Sequence, residues 1–407
     1  MSRAERSAAP ETPSAPTPAA LPFDFQCPTR LVFGPGVAAR VGELARGIGA
    51  RRVLLVTDPG IVAAGHAARI TGHLTEAGLQ VTVFGRVREN PSTLDVAECL
   101  AMARAAEVDT LVGLGGGSSM DTAKGCNFLL TNGGRMQDYW GVGKATQPML
   151  PLLALPTTAG TGSECQSFAL IADEATHQKM ACGDPKASAR VALLDPELTL
   201  SQPPRVTACT GIDALAHAVE TAVTRKRSAV SLLYSHAAFK LAVAAFPRVL
   251  SHPGDAAARG RMQLGAAYAG LAIENSMLGA AHSAANPLTA HFNIPHGQAV
   301  GMMLPHVVRF NGADPAALAA YAELAVAAEL VPAGTEAAAA LEVLIGRLNA
   351  LLRVAGFPAS LNNCGVPADA VTDLAAEAAR QWTATFNPRT IAARDFAGLY
   401  EAAMARG

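Results

Sequence analysis

Short runs of consecutive apolar residues, each cut off by glycine, proline or aspartate, recur through the first half of this 407-residue chain and then stop. Val53 to Thr57 (VLLVT) ends at Asp58-Pro59-Gly60, and Val81 to Phe84 ends at Gly85. Thr110 to Leu114 runs into Gly115-Gly116-Gly117, and Leu152 to Leu155 runs into Pro156-Thr157-Thr158. Helical stretches lie between them, around residues 61–77, 93–106 and from Ser118 onward. Apolar strands alternating with helices predict a parallel sheet covered on both faces. Ala169–Ala172 and Lys179–Cys182 flank a polar turn and predict a hairpin; Val191–Leu194 predicts a last strand.

After Pro203-Pro204 the pattern changes to long Ala/Leu-rich stretches at helical spacing, for example 206–223, 228–248, 316–330, 335–355 and 369–380. The expected architecture is α/β plus all-α. A Rossmann-like parallel-sheet domain over residues 21–203 precedes a helical domain over 204–407, with a cleft between them. Residues 1–20, rich in Ala, Pro, Ser and Thr and without an apolar core segment, predict a flexible tail rather than a signal peptide.

Charge narrows the partners. Lys+Arg 32 against Asp+Glu 33 leaves a formal charge of −1, without the basic excess that nucleic acid or an anionic membrane attracts. Hydrophobic residues make up 50% and charged residues 16%, which excludes a largely disordered chain. No uninterrupted apolar run reaches the roughly 18 residues of a membrane span. Seven cysteines, an odd number without paired metal spacing, argue for a reducing compartment and hence a cytoplasmic protein.

Gly115-Gly116-Gly117-Ser118-Ser119-Met120-Asp121 sits where a strand meets a helix. Glycines let backbone N–H groups approach a phosphate, and the helix N-terminus adds positive potential. Asp58, at the carboxyl end of an earlier strand, can accept hydrogen bonds from an adenosine ribose; a plain turn aspartate is the alternative. A second loop, Pro156-Thr157-Thr158-Ala159-Gly160-Thr161-Gly162-Ser163-Glu164, carries four hydroxyls on a neighbouring strand end. Two such loops side by side favour a dinucleotide over two ordinary capped turns.

In the helical half, Asp213 and His217 stand at i and i+4, one turn apart on one helix face. His282 and His296 follow in Ala-rich and Pro-Gly-flanked segments. One carboxylate and three imidazoles form a complete ligand set for Fe²⁺ or Zn²⁺. Individually, Asp213 could pair with Thr210 in a capping box and the histidines could be satisfied core residues. Together in apolar surroundings they need partners.

These motifs resemble the iron-containing (group III) alcohol dehydrogenase family of the dehydroquinate synthase-like superfamily. The resemblance runs from Phe33-Gly34-Pro35-Gly36 to Asn387-Pro388-Arg389. Gly115 to Asp121 looks like the family's GGGSxxD loop and Pro156 to Glu164 like its PTTAGTGSE loop. Asp213, His217, His282 and His296 match its metal ligands, with Fe²⁺ favoured and Zn²⁺ the other candidate. The resemblance implies an NAD-linked dehydrogenase interconverting a small alcohol and its aldehyde or ketone. It implies cofactor contacts at Asp58, Asn90, Gly115, Gly116, Gly117, Ser118, Ser119, Asp121, Thr157, Thr158, Gly160, Thr161, Lys179 and Leu198. It also implies a homodimer or larger homo-oligomer.

One position departs from the pattern. Many members carry a proton-relaying histidine four residues after the third ligand; here Asn286 stands there, and an amide does not shuttle protons at neutral pH. Asn286 could orient water or substrate, or be a turn residue before Pro287; His291 is the nearby imidazole. The same fold also serves polyol dehydrogenases, maleylacetate-type reductases and hydroxyacid–oxoacid transhydrogenases. A dehydroquinate-synthase-like cyclase would need clustered basic residues that the metal-bearing segments lack. A non-catalytic NAD- or metal-binding protein is the third class.

Overall fold

The computed structural model describes residues 22–176 and 178–405. The predicted tail at 1–20 lies outside them. The first half contains β1 (Arg30–Phe33), α1 (Val41–Gly47), β2 (Arg52–Val56), α2 (Pro59–Ala63), α3 (His66–Glu76), β3 (Gln80–Phe84), α4 (Thr93–Ala105), β4 (Thr110–Gly115) and α5 (Gly117–Asn132). It continues through β5 (Gly141–Val142), β6 (Leu152–Pro156), β7 (Phe168–Ala172), β8 (Lys179–Gly183) and β9 (Val191–Leu194). The rest is helical: α6 (Pro204–Thr221), α7 (Ala229–Ser251), α8 (Ala256–Ser276), α9 (Ala280–Phe292), α10 (His296–Asn311), α11 (Pro315–Ala327), α12 (Ala337–Val354), α13 (Val371–Arg380) and α14 (Ala393–Met404).

Six strands form one parallel sheet in the order β1-β9-β6-β4-β2-β3. The central strand β4 is buried along its whole length, with Leu111 opposite Leu152 on one side and Leu54 on the other. That double burial is why β4 and β6 read as unbroken apolar runs. From β2 the chain steps outward to β3, then returns to the other side of β2 as β4. The order therefore reverses between β2 and β4, and a crevice opens beyond their carboxyl ends. Asp58 follows β2 and the glycine loop follows β4, so the two meet at that crevice. The hairpin forms as expected: β7 pairs antiparallel with β8, Ala172 opposite Lys179, in a small sheet with β5.

Three elements differ from the sequence reading. The helical stretch near 61–77 is two helices, because Gly65 takes a left-handed conformation (φ 80°) between α2 and α3. β1 was not anticipated; its four residues draw their register from β9, Arg30 opposite Val191. α7 is long and apolar enough to cross a bilayer by length and composition, although Ser, His, Lys and Arg interrupt its apolar run. It packs instead in the helical core, where Phe239 and Phe246 are fully buried among α6 and α8 residues such as Leu215, Val219 and Met262.

Candidate active site

A cleft of about 850 Å³ runs between the sheet's carboxyl edge and the helical half. Its wall takes Asp58, Asn90, Gly116, Gly117, Ser118, Asp121, Thr157, Thr158, Thr161 and Lys179 from the first half. Asp213, His217, His282 and His296 line it from the second. Sites far apart in sequence thus meet in one groove, of the size that holds a dinucleotide or drug-sized ligand.

The phosphate-loop geometry follows from its residues. Gly115 adopts φ 144°, and a Cβ there would lie 2.4 Å from Ser119 Oγ. Only glycine lets β4 turn so tightly into α5. Gly116 caps α5, leaving the first N–H groups of a 16-residue helix facing the cleft. Asp58 caps α2: its Oδ1 accepts from Ile61 N at 3.0 Å. The turn role and a cleft-facing role coexist, because Asp58 also lines the groove. Asn90 holds a left-handed conformation (φ 52°) at the cleft edge.

Behind the loops lies a buried polar knot. Lys124 Nζ donates to Ser163 O (2.6 Å), Ser163 Oγ (2.9 Å) and Phe168 O (3.0 Å). Ser163 Oγ in turn donates to Asp121 Oδ1 at 2.9 Å. The knot ties α5 to the 157–164 loop and so links the two cofactor-side loops. Burial pushes the neighbouring Glu164 carboxyl up to about 7.

The metal constellation centres on Asp213 Oδ1. His282 Nε2 lies 3.4 Å from it, His217 Nε2 3.5 Å and His296 Nε2 3.9 Å. Ligands bonded at about 2.1 Å around a tetrahedral ion stand about 3.4 Å apart. Asp213, His217 and His282, whose ligand atoms all lie within 4.8 Å of one another, fit a shared divalent ion, and His296 stands further out at the mouth of the group. Asp213 Oδ1 and His282 Nε2 are both buried without a hydrogen-bond partner, as atoms reserved for an ion would be.

Surrounding groups set the tautomers. His217 Nδ1 faces Gly160 O at 3.2 Å; a carbonyl only accepts, so the proton sits on Nδ1 and Nε2 presents its lone pair. His282 Nδ1 donates in the same way to Glu220 Oε2 at 2.5 Å. Burial opposes charge on Asp213, but the three imidazoles outweigh it and hold the carboxyl well below the usual range. Burial keeps His217 below its ordinary value and, with Lys179 and the other imidazoles nearby, takes His296 down to about 3. His282 is the exception: burial disfavours its charge, but Glu220 and Asp213 raise it to about 9. Without an ion it would carry the compensating proton.

Several predicted site residues lie elsewhere. Leu198 is fully buried in the sheet-side core, not on the cleft wall. Gly115, Ser119 and Gly160 shape the loops from behind, and Gly160 contributes its carbonyl to His217. His291 is exposed near the C-terminal end of α9 and pairs with Glu377 at 2.7 Å, so the proposed imidazole substitute is not brought to the cleft. Asn286 is not a turn residue: α9 continues through Pro287 to Phe292. Its Nδ2 donates to Gln381 Oε1 at 3.1 Å, away from the groove.

Glu220 escaped the sequence reading. It lies one turn beyond His217 on the face of α6 that carries Asp213, and is only 3% exposed. A carboxylate in line with two ligands, within an otherwise apolar helical stretch, was the available signal.

The sequence pattern of the "Iron-containing alcohol dehydrogenase" family matches residues 28–196, and that of "Fe-containing alcohol dehydrogenase family, C-terminal" matches 207–404. The chain is 34% identical over 384 residues to the NAD-dependent methanol dehydrogenase of Bacillus methanolicus, covering 94% of this chain and 100% of that one. It is 32% identical to the 1,3-propanediol dehydrogenase of Klebsiella pneumoniae, over 94% and 98% of the two chains. Among solved structures, a 1,3-propanediol oxidoreductase superposes with a TM-score of 0.91 at 31% identity, covering 94% of this chain and all of that one. A sulfoacetaldehyde reductase from Bifidobacterium kashiwanohense, solved with NAD⁺, gives 0.85 at 27% identity, over 95% and 100%. With both halves matched, the chain belongs to the iron-containing alcohol dehydrogenase family.

Proposed function

We propose that this chain is an NAD-linked, metal-dependent alcohol dehydrogenase that reversibly interconverts a small alcohol and its aldehyde or ketone. It is an oxidoreductase acting on CH–OH groups. The observation that carries the reading is the convergence of three imidazole nitrogens on Asp213 Oδ1, in the same cleft as Asp58 and the glycine loop.

A divalent ion, Fe²⁺ favoured over Zn²⁺, would be held by Asp213, His217, His282 and His296 and would supply Lewis acidity toward the alcohol oxygen. NAD would supply hydride acceptance. The chain's own groups do the rest. Asp213 provides the one anionic ligand, while His217 and His296 stay neutral and keep their lone pairs. The α5 N-terminus, with Gly116, Gly117 and Ser118, would hold the pyrophosphate, and Asp58 would accept from a ribose hydroxyl. Thr157, Thr158 and Thr161 offer hydroxyls toward the nicotinamide side. Lys179 presents its ammonium in the cleft, in the fields of Asp121 and Asp213. The two lobes act as an NAD-binding domain, 21–203, and a metal-binding domain, 204–407.

The assembly is a homodimer or larger. Among the described residues the outer edge of β1 is unpaired, and it offers a surface for strand pairing. A cytoplasmic location accords with seven cysteines that form no disulfide. The test is NADH formation over a panel of alcohols with anaerobically iron-loaded enzyme. Turnover of hydroxyacids, polyols or maleylacetate with no simple alcohol accepted would favour the related chemistries on the same fold.

A further inference from the structure

Four apolar side chains, Phe168, Leu170, Ile273 and Leu278, line the cleft from β7, the end of α8 and the turn leading into His282. None of them carries a charge or a donor. Phe168 does not stand alone: its ring stacks on Trp382, centroids 5.8 Å apart and planes at 26°. Trp382 meets Phe386 edge-on at 5.7 Å. Phe168 also packs with Ala181, Met277, Leu170 and Phe386 in one small cluster. The Trp382–Phe386 turn therefore backs the Phe168 face of the cleft.

That turn is latched to α9, the helix that carries His282. Asn286 Nδ2 donates to Gln381 Oε1 at 3.1 Å, and Ser283 Oγ meets Thr383 Oγ1 at 2.7 Å. Arg225 N donates to Phe386 O at 2.9 Å from the other end. Asn286 and Ser283 share one face of α9, one turn apart. A single helix thus fixes a ligand histidine and the aromatic backing of the neighbouring wall.

We propose that Asn286 is a positioning residue for substrate choice: through Gln381 it holds Trp382 behind Phe168, and the wall so fixed selects uncharged alkyl or arylalkyl alcohols. The reading rests on the alcohol dehydrogenase activity above. It assigns Asn286 a task without proton transfer, which suits an amide. A wall held by a hydrogen-bonded latch discriminates by shape, and one methylene in an apolar pocket changes selectivity by roughly 10-fold or more.

The test uses the metal-loaded full chain with NAD and a ladder of primary alcohols from ethanol to hexanol, benzyl alcohol, and glycolate as an anionic comparator. Wild type is expected to prefer the longer neutral alcohols and to reject glycolate. Trp382→Ala should move the preference toward bulkier substrates by roughly 10-fold, chiefly in KM. Asn286→Ala should move it the same way, and the double variant no further than Trp382→Ala alone. Trp382→Phe, which keeps a stacking ring, should restore the wild-type ranking. The pH profile of kcat should stay unchanged in Asn286→Ala. Unchanged rankings in Trp382→Ala and Asn286→Ala would overturn the proposal. So would a shifted pH profile in Asn286→Ala with the ranking intact, or a wild-type preference for glycolate over the neutral alcohols. If Trp382→Ala does not fold, Gln381→Ala cuts the same latch on the other side and is read identically. Failure of wild type to oxidise any alcohol on the ladder would instead reject the underlying activity, and is seen without any variant.

Discussion

Glu220 spends both carboxylate oxygens on the segment that presents His282: Oε2 accepts from the His282 ring and Oε1 accepts from Ala281 N at 2.7 Å. One buried carboxylate on α6 therefore sets both the backbone and the tautomer of a ligand on α9. Glu220→Gln keeps the size but presents an amide N–H to one of two donors. Metal affinity, measured by chelator competition, is expected to fall roughly 10–100-fold, the range for losing such outer support. NAD affinity by fluorescence titration should be unchanged. Unaltered metal retention would show that His282 needs no such orientation.

The ligands themselves give a larger effect. His296→Ala or His282→Ala leaves Asp213 with two imidazoles and should lower turnover by more than the roughly 100-fold seen when a group supporting a ligand is lost. The protein should still fold and bind NAD, since the glycine loop and the Lys124 knot lie on the other side of the cleft. Metal analysis of the purified variants, set beside activity, checks both halves. Full activity in verified metal-free wild type would reject the Lewis-acid role.

Much of this site was legible because its chemistry is local. Asp213 and His217 share a helix face, and Gly115 to Ser118 lies at one strand–helix junction. What was hidden depends on distant pairings. β1 owes its place to β9, and Glu220, though in line with Asp213 and His217 on α6, gains its role only when His282 arrives from α9. Asn286 shows the same limit: its partner, Gln381, lies at the end of α13, and no local pattern links the two. Leu198 shows the ambiguity of an apolar residue after a strand, which serves a core as readily as an adenine; here it packs in the sheet-side core.

Asp58 offers a test of cofactor choice. Its carboxylate can accept from a ribose hydroxyl but repels a 2′-phosphate. Wild type should therefore prefer NAD to NADP in kcat/KM. Asp58→Gly should narrow that ratio by roughly 10-fold, about 1.4 kcal/mol. Loss of the α2 cap costs only a few tenths of a kcal/mol when glycine replaces aspartate, so folding should not obscure the result. A wild-type preference for NADP would remove the ribose role and leave the helix cap.

Glu164 gives a pH-dependent stability with a defined sign. Burial raises its folded value from 4.5 to about 7, with Lys124 only partly offsetting it. Between those values the folded state holds a proton that the unfolded state has released. Its stabilising contribution is therefore complete below about 4.5 and is lost as pH rises through about 7. The span corresponds to about 3 kcal/mol at most. Glu164→Gln has no proton to lose, so its stability relative to wild type should rise across that window and level off above it. Thermal unfolding of both proteins from pH 4 to 8, each metal-loaded and without NAD, measures the difference. Parallel curves would mean that Glu164 is ionised in the fold at neutral pH, with Lys124 neutralising it.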